Sequence, residues 1–439
     1  MQKYKIITYG CQMNIHESEK IAGILEYLGY TATDDQENAD IIVFNTCCIR
    51  DNAEKHVLGN LGEVKHIKKR NKNLIVAVLG CMTQQDGAGL SLREKYPFVD
   101  IVLGANNLNE LEESIKSAQK SHKKTVSIDA NEKPTIVEGQ KVFRTSGTNA
   151  WLNIMYGCNN FCTYCIVPYV KGRERSRKQQ DILNEFNALL AQGYKEITLL
   201  GQNVNSYGSD LQDGSNFATL LKEIAKIQGK FRVRFMSSHP KDLNKEVIDI
   251  IMNCDNICKN IHLPIQSGSN KILKLMNRHY TREDYMSIID EIHAKIPNCG
   301  ITTDIMVGFP YEEECDFADT LDIVEKVGYS SAFTFIYSVR KGTLAATMPQ
   351  VDPAVASERI QRLIACQNEI TKRISSQYVG AIEEVLCEDY AQKHEGMVCG
   401  RTDSGRLVNF VGDGSMIGKF LKIKIESSQS AALFGKVVD

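Results

Sequence analysis

Three thiols crowd one short stretch of the chain, Gly157-Cys158-Asn159-Asn160-Phe161-Cys162-Thr163-Tyr164-Cys165. With three and then two residues between them they can wrap one compact site, and soft thiolates select iron–sulfur clusters or zinc. A structural zinc site would draw a fourth Cys or His from a neighbouring pair, and none follows locally. Three thiolates on a four-iron cluster leave one iron open to a substrate. A second set is dispersed: Cys11, Cys47 and Cys81 each close a strand-like run. In a doubly wound sheet the C-terminal strand ends line one crevice, so thiols far apart in sequence meet there and make a second three-thiolate site. Cys48 offers another thiol at the same strand end as Cys47. Cys254, Cys258, Cys299, Cys315, Cys366, Cys387 and Cys399 share no cluster spacing and read as small buried hydrophobes.

The elements that must carry these thiols follow from periodicity. At 439 residues, 43% hydrophobic and 24% charged, the chain is an ordinary globular sequence of roughly three domains. Lys5 to Tyr9, Asp40 to Asn45, Leu74 to Leu79 and Asp100 to Leu103 read as strands between helical stretches, which implies a parallel sheet with helices on both faces. Residues 117–147 are polar and strand-poor, a linker. From Trp151 six further strand–helix units follow: Trp151 to Met155, Glu196 to Leu200, Arg232 to Met236, Asn260 to Leu263, Gly300 to Val307 and Ala332 to Tyr337. They suggest a partial βα barrel with its chemistry at the C-terminal strand ends. A helix over 354–377 closes the region. The last stretch turns into short alternating strands, a small all-β barrel of OB-like type. The fold class is therefore α/β multidomain, with boundaries expected at 1–119, 120–143 (linker), 144–376 and 377–439.

Fourteen cysteines without a hydrophobic leader point to a reducing compartment, and the expected location is the cytoplasm. No apolar run approaches the ~20 residues a bilayer needs. A net charge of −2 advertises no nucleic acid globally. Local charge does: Lys171, Arg173, Arg175, Arg177 and Lys178 follow the clustered thiols directly, placed to meet phosphates at the mouth of the site. Glu174 reads as an ion-pair partner within that run, and the basic stretch around His66 as a solvated helix face. Gln202, Asn203, Ser237, Ser238, Gln266 and Asp304 lie at strand ends facing the expected mouth and are candidates to bind cofactor or substrate. His239 and His262 read as hydrogen-bonded core or rim residues. Gly308 and Pro310 read as turn-formers that admit a ligand close to the backbone.

Three cysteines with an aromatic before the last, after the first strand of a six-unit barrel, resemble the radical S-adenosylmethionine (SAM) enzymes. The whole chain is similar to the methylthiotransferases, through TYGCQMN (Thr8 to Asn14), FNTCCIR (Phe44 to Arg50), LGCMTQ (Leu79 to Gln84) and IMYGCNNFCTYCIVPYVKGRERSR (Ile154 to Arg177). The similarity continues through LLGQNVNSYG (Leu199 to Gly208), SSHPKD (Ser237 to Asp242), HLPIQSGS (His262 to Ser269), LMNRHYTREDY (Leu275 to Tyr285), TTDIMVGFP (Thr302 to Pro310) and AFTFIYSVRKGT (Ala332 to Thr343). GQNVNSYG, SSHPKD and LMNRHYTREDY are closest to the branch that makes 2-methylthio-isopentenyladenosine in tRNA.

The resemblance implies an N-terminal cluster domain, a radical SAM core and a C-terminal TRAM barrel that contacts RNA. It implies two 4Fe-4S clusters, one on Cys11, Cys47 and Cys81 and one on Cys158, Cys162 and Cys165, and two equivalents of SAM per product. Tyr164 would meet the adenine of SAM, with Gln202, Ser237, Gln266 and Asp304 as further SAM contacts. Lys171, Arg173, Arg175, Arg177, Arg401 and Arg406 would meet RNA. The expected partners are a tRNA anticodon loop, modified at position 37, and an electron donor of flavodoxin or ferredoxin type, with a monomeric enzyme and no membrane. The alternatives are sister enzymes acting on threonylcarbamoyl-adenosine or on a ribosomal-protein aspartate, and a non-catalytic electron-transfer protein. Two positions depart from the family pattern: Cys48 stands where Ser is common, and Tyr311 where Gly is usual.

Overall fold

A computed structural model describes residues 2–48, 51–129, 134, 136, 138–139, 142–144 and 147–438. The chain forms two compact units: residues 1–145 with 156–159 and 165–175, and residues 146–155 with 160–164 and 176–439.

The first unit is a six-stranded sheet. Its strands are β1 (Gln2–Thr8), β2 (Tyr30–Ala32), β3 (Ile41–Thr46), β4 (Ile75–Gly80), β5 (Ile101–Gly104) and β6 (Thr125–Ser127), in the order β2-β1-β3-β4-β5-β6. Every pairing is parallel. Strands β3, β4 and β5 are buried throughout, which is why they read as unbroken apolar runs. Alternate side chains serve opposite faces: Ile41 and Val43 pack with Ile21, Leu25 and Ile115, whereas Ile42 and Phe44 pack with Val57, Leu61 and Val78. Helices α1 (Gln12–Tyr27), α2 (Asp51–Arg70), α3 (Cys81–Gln84), α4 (Ala88–Lys95) and α5 (Leu111–Ser121) make the connections, and α6 (Val167–Lys171) also belongs to this unit. The strand order reverses between β1 and β3, where a doubly wound sheet opens its crevice.

One expectation is corrected here. The stretch taken as a linker over 120–143 carries β6, which pairs with β5. Only three residues long in a polar context, β6 lacks the apolar run that marked its neighbours. Ile49, Arg50 and much of 130–146 lie outside the described residues.

The second unit begins with β7 (Asn149–Asn153), β8 (Glu196–Leu200), β9 (Arg232–Phe235), β10 (Asn260–His262), β11 (Gly300–Val307) and β12 (Ser331–Ile336). They form two parallel three-stranded sheets, β9-β8-β7 and β10-β11-β12, joined by a parallel bridge between Val233 and Ile257. The six strands thus follow in chain order around an open barrel. Helices α7 (Gln179–Ala191), α8 (Phe217–Ala225), α9 (Lys245–Asn253), α10 (Asn270–Leu275), α11 (Arg282–Lys295) and α12 (Glu314–Val327) connect them, and α13 (Pro353–Gln377) follows, started by the Asp352 cap and Pro353.

A closed five-stranded barrel ends the unit: β13 (Ile382–Tyr390), β14 (Met397–Thr402), β15 (Leu407–Val411), β16 (Phe420–Gln429) and β17 (Ala432–Val438), ordered β13-β14-β15-β17-β16. Its core is Val385, Val398, Val408, Phe410, Ile423, Ile425 and Leu433. The turn between β14 and β15 caps the N-terminal ends of the open barrel's strands. Arg232 donates to Arg401 O, Arg234 to Thr402 O and Asn260 to Ser404 O. The C-terminal strand ends are left for chemistry. Among the described residues no helix is long and apolar enough to cross a membrane.

Candidate iron–sulfur and SAM sites

Cys11, Cys47 and Cys81 follow β1, β3 and β4, three neighbouring strands of the sheet. Two glycines bring the loops together. Gly10 and Gly80 each precede a cysteine and each have φ of 112°. A Cβ on Gly10 would lie 2.6 Å from Cys47 Cβ and 2.7 Å from its Sγ; one on Gly80 would lie 2.6 Å from Thr46 O. Only the absence of a side chain allows such approach.

The polar residues of the same motifs tie the loops. Asn14 Nδ2 donates to Tyr9 O and Thr46 O, Asn45 Nδ2 to Asn14 O, Thr46 Oγ1 to Leu79 O and Thr83 Oγ1 to Gly80 O. Cys47 and Cys81 are 1% and 4% exposed, Cys11 is half-buried, and none of the three is in a disulfide.

The chemistry of this donor set fits an iron–sulfur cluster, which needs thiolates. A hydrogen bond from the Cys48 thiol holds Cys81 below the ordinary thiol range against the opposing effect of burial, and the Lys171 ammonium adds to it. The same bond, together with burial, pushes Cys48 up. Lys20 is buried as well, with its ammonium 3.1 Å from the Tyr156 hydroxyl and 3.4 Å from Glu17. The buried Lys171 cation near Cys81 and Cys11 favours an anionic occupant.

In the clustered motif, Cys158 and Cys165 fall in the first unit and Cys162 in the second. Gly157 (φ 78°) brings its backbone against Arg173 O, and Cys158 N–H donates to Gly172 O. Glu174 accepts from the backbone N–H and the side chain of Asn159, so it clasps the loop that bears Cys158. Within the second unit Asn277 donates to Asn160 O and Phe161 O, and Thr163 is bonded to Met276 and Leu275. Arg278, 4% exposed, donates to Cys162 Sγ and to the Tyr164 hydroxyl, each at 3.4 Å. Tyr164 packs edge-on to Phe309. Arg278 escaped the sequence reading of individual sites, although it lies inside LMNRHYTREDY. Its place inside a motif of the resemblance was the available signal.

Of the strand-end candidates, Asp304 lies within β11 and not at its end. Gln202 follows β8 and is half-buried; Asn203 is tied to Asp242. Val204 N–H donates to Ser237 O, joining the loops after β8 and β9. Gln266 N–H donates to Asp304 O, and Asp304 Oδ2 lies 3.5 Å from His262 Nε2. Phe161, Ser237, Gln266, Asn277, His279 and Tyr311 all have positive φ. Six such non-glycine residues in the loops at one end of the barrel store backbone strain of the kind that gathers at ligand sites. His239 is buried, and burial with the neighbouring Arg278 keeps its imidazole neutral.

The basic residues expected to meet RNA are largely spent on the fold. Lys171 is buried near Cys81 and Glu17. Arg175 donates to Pro134 O and Lys171 O, and Arg177 to Asn153 O with Glu185 as ion partner. Arg406 is buried, donating to Ser330 O and lying over the Tyr378 ring. Lys171, Arg177 and Arg406 are buried and Arg175 is half-buried with its donors on carbonyls, so these four charges are turned into the fold, away from where phosphate contact was expected. Arg401 pairs with Glu388 at the surface, and Arg173 is half-exposed.

Comparison with known proteins agrees with this geometry. Residues 3–104 match the Uncharacterized protein family UPF0004, residues 152–324 the Radical SAM superfamily and residues 376–438 the TRAM domain. Among solved structures, the radical SAM methyltransferase TsrM from Kitasatospora setae aligns over 88% of this chain and 78% of its own at TM-score 0.56 and 13% identity. The cobalamin-dependent SAM radical enzyme OxsB aligns over 84% of this chain and 56% of its own at TM-score 0.51 and 13% identity. These likenesses concern the fold. The sheet, the open barrel and the TRAM barrel together define a radical SAM protein, a class that implies SAM and a 4Fe-4S cluster.

The tRNA-2-methylthio-N(6)-dimethylallyladenosine synthase of Clostridium botulinum (strain Langeland) is 50% identical over 437 residues, 99% of this chain and 97% of the relative. That of Thermoanaerobacter pseudethanolicus is 50% identical over 99% of this chain and 93% of its own length. The chain belongs to the tRNA-2-methylthio-N(6)-dimethylallyladenosine synthase family.

Proposed function

We propose that this protein inserts a methylthio group at carbon-2 of N6-dimethylallyl (isopentenyl) adenosine at position 37 of tRNA, next to the anticodon. The observation that carries the reading is the meeting of Cys11, Cys47 and Cys81 at three adjacent strand ends, in a chain half-identical end to end to enzymes named for that product. Carbon-2 of adenine bears an unactivated hydrogen, on which acid–base catalysis has no purchase.

Cys158, Cys162 and Cys165 would hold one cluster and Cys11, Cys47 and Cys81 a second. Bound there, the clusters supply an electron for reductive cleavage of SAM and an open iron from which sulfur is delivered. Gly10 and Gly80 bring the N-terminal loops close together, and Lys171 would offset the negative charge of the second cluster. Tyr164, held by Arg278 and Phe309, orients the adenine of SAM; Gln202, Ser237, Gln266 and Asp304 complete that site. The base must leave its stack to reach the barrel, which favours a loop substrate. One SAM supplies the methyl group and another the radical. The remaining parts of the reading are an electron donor of flavodoxin or ferredoxin type, a monomeric enzyme and a cytoplasmic location.

The test is mass spectrometry of tRNA nucleosides from a deletion strain, with and without the gene restored. The 2-methylthio derivative of dimethylallyladenosine should disappear and return. Loss of a methylthiolated threonylcarbamoyl-adenosine instead would overturn the substrate assignment.

A further inference from the structure

Arg278 is a buried guanidinium without a carboxylate. Its Nε donates to the Tyr280 hydroxyl at 3.1 Å and its Nη2 to Pro264 O at 3.1 Å. Its Nη1 reaches Cys162 Sγ and the Tyr164 hydroxyl, each at 3.4 Å. Among the described residues no acidic group lies within ion-pair distance. Tyr280 is fixed in turn, its hydroxyl donating to Ile265 O at 2.8 Å, and the flanking Asn277 and His279 both hold positive φ. The loop is thus strained into the one shape that aims this fork at the cysteine. A buried cation with only neutral partners is unfavourable, so the site suits negative charge at Cys162 when its sulfur binds iron.

We propose that Arg278 is a positioning residue that sets the reduction potential of the cluster on Cys158, Cys162 and Cys165, acting through the Cys162 sulfur. This rests on the assignment of those cysteines as cluster ligands. An N–H directed at a ligand sulfur, with a full positive charge behind it, stabilises the more negative reduced state and so raises the midpoint. The same fork holds Tyr164, coupling the ligand to the residue that orients SAM.

The experiment is an EPR-monitored redox titration of the full-length, iron-loaded protein. It follows the reduced signal that changes when SAM is added, which distinguishes this cluster from any other. In Arg278→Met the ratio of reduced to oxidised cluster at a fixed potential should fall at least tenfold, a midpoint lower by about 59 mV for a one-electron couple. Arg278→Lys, which keeps the charge but loses the planar fork, should shift the same way by less. A merely structural role would change stability and iron content but not the midpoint of the cluster that remains. Unchanged midpoints overturn the inference; should the Met variant fail to retain iron, an unchanged midpoint in the Lys variant does so alone. Absence of any SAM-sensitive signal from the parent protein would instead overturn the ligand assignment.

Discussion

Tyr311 stands in the left-handed region with φ of 64°, directly after Gly308-Phe309-Pro310, with half its surface exposed. A side chain there costs about 1–2 kcal/mol in backbone strain, which glycine would avoid. Tyr311→Gly should therefore raise the thermal midpoint of the barrel's transition, by about 2–4 °C per kcal/mol recovered in a domain of this size; a fall would show that the tyrosine makes a contact worth more than the strain. His239 is a second residue at odds with its surroundings. Burial and the charge of Arg278 hold its imidazole far below the ordinary range, so the folded protein keeps it neutral while the unfolded chain protonates near pH 6.5. Stability from this group is complete above that pH and is lost as pH falls below it, at about 1.4 kcal/mol per pH unit. Denaturant titrations between pH 7.5 and 5 should show a shallower acid loss in His239→Gln than in the parent; equal slopes would mean that His239 does not govern the loss.

At the scale of elements, the loops after β1, β3 and β4 are held close together by glycine, and this is testable apart from the thiols. Gly80→Ala would drive a Cβ against Thr46 O in a backbone that has no room to yield. It should cost about 2 kcal/mol or more and lower the iron content of anaerobically reconstituted protein, with Cys81 still present. Normal iron content in a folded Gly80→Ala protein would show that the approach of these loops is not needed for the cluster. Much of this was legible beforehand. The unbroken runs of β3 and β4 forced a buried parallel sheet, and that topology alone put Cys11, Cys47 and Cys81 at one edge. Gly300–Val307 matched its expected span because alternating burial left the signal intact. The three-residue β6 was not legible, because its sheet neighbour rather than its own side chains makes it a strand. Nor were the roles of Lys171, Arg177 and Arg406: a basic run looks the same whether its charges face solvent or carbonyls, and only tertiary placement decides. Arg278 was hidden similarly, since its partner Cys162 lies 116 residues away in the chain.

At the scale of the molecule, one thiol set closes strands of the doubly wound sheet and the other lies in the loop after β7, with Cys158 and Cys165 in the same compact unit as the sheet and Cys162 in the unit of the open barrel. Because the sheet and the open barrel are separate hydrogen-bonded frameworks, their functions should be separable. Cys11, Cys47 and Cys81 follow strands of the sheet, whereas the core of the open barrel is built from Leu152, Ile197, Val233, Ile261 and Ile305. A Cys11/Cys47/Cys81 triple Ala protein should thus fold its barrel, hold about half the iron, and still cleave SAM to 5′-deoxyadenosine under reducing conditions. It should form no methylthiolated nucleoside, because the sulfur-delivering site is gone. The triple variant is required because Cys48, 1% exposed and bonded to Cys81, could stand in for a single lost ligand. Removing buried thiols destabilises by about 1 kcal/mol or more each, so circular dichroism and the SAM-cleavage activity itself serve as folding controls. Iron analysis, deoxyadenosine release and nucleoside mass spectrometry on one preparation decide the matter. If the folded triple variant keeps nearly all its iron or still makes the methylthiolated product, these three cysteines are not the second cluster's ligands; if it loses SAM cleavage with its fold intact, the two sites are not separable as their frameworks imply.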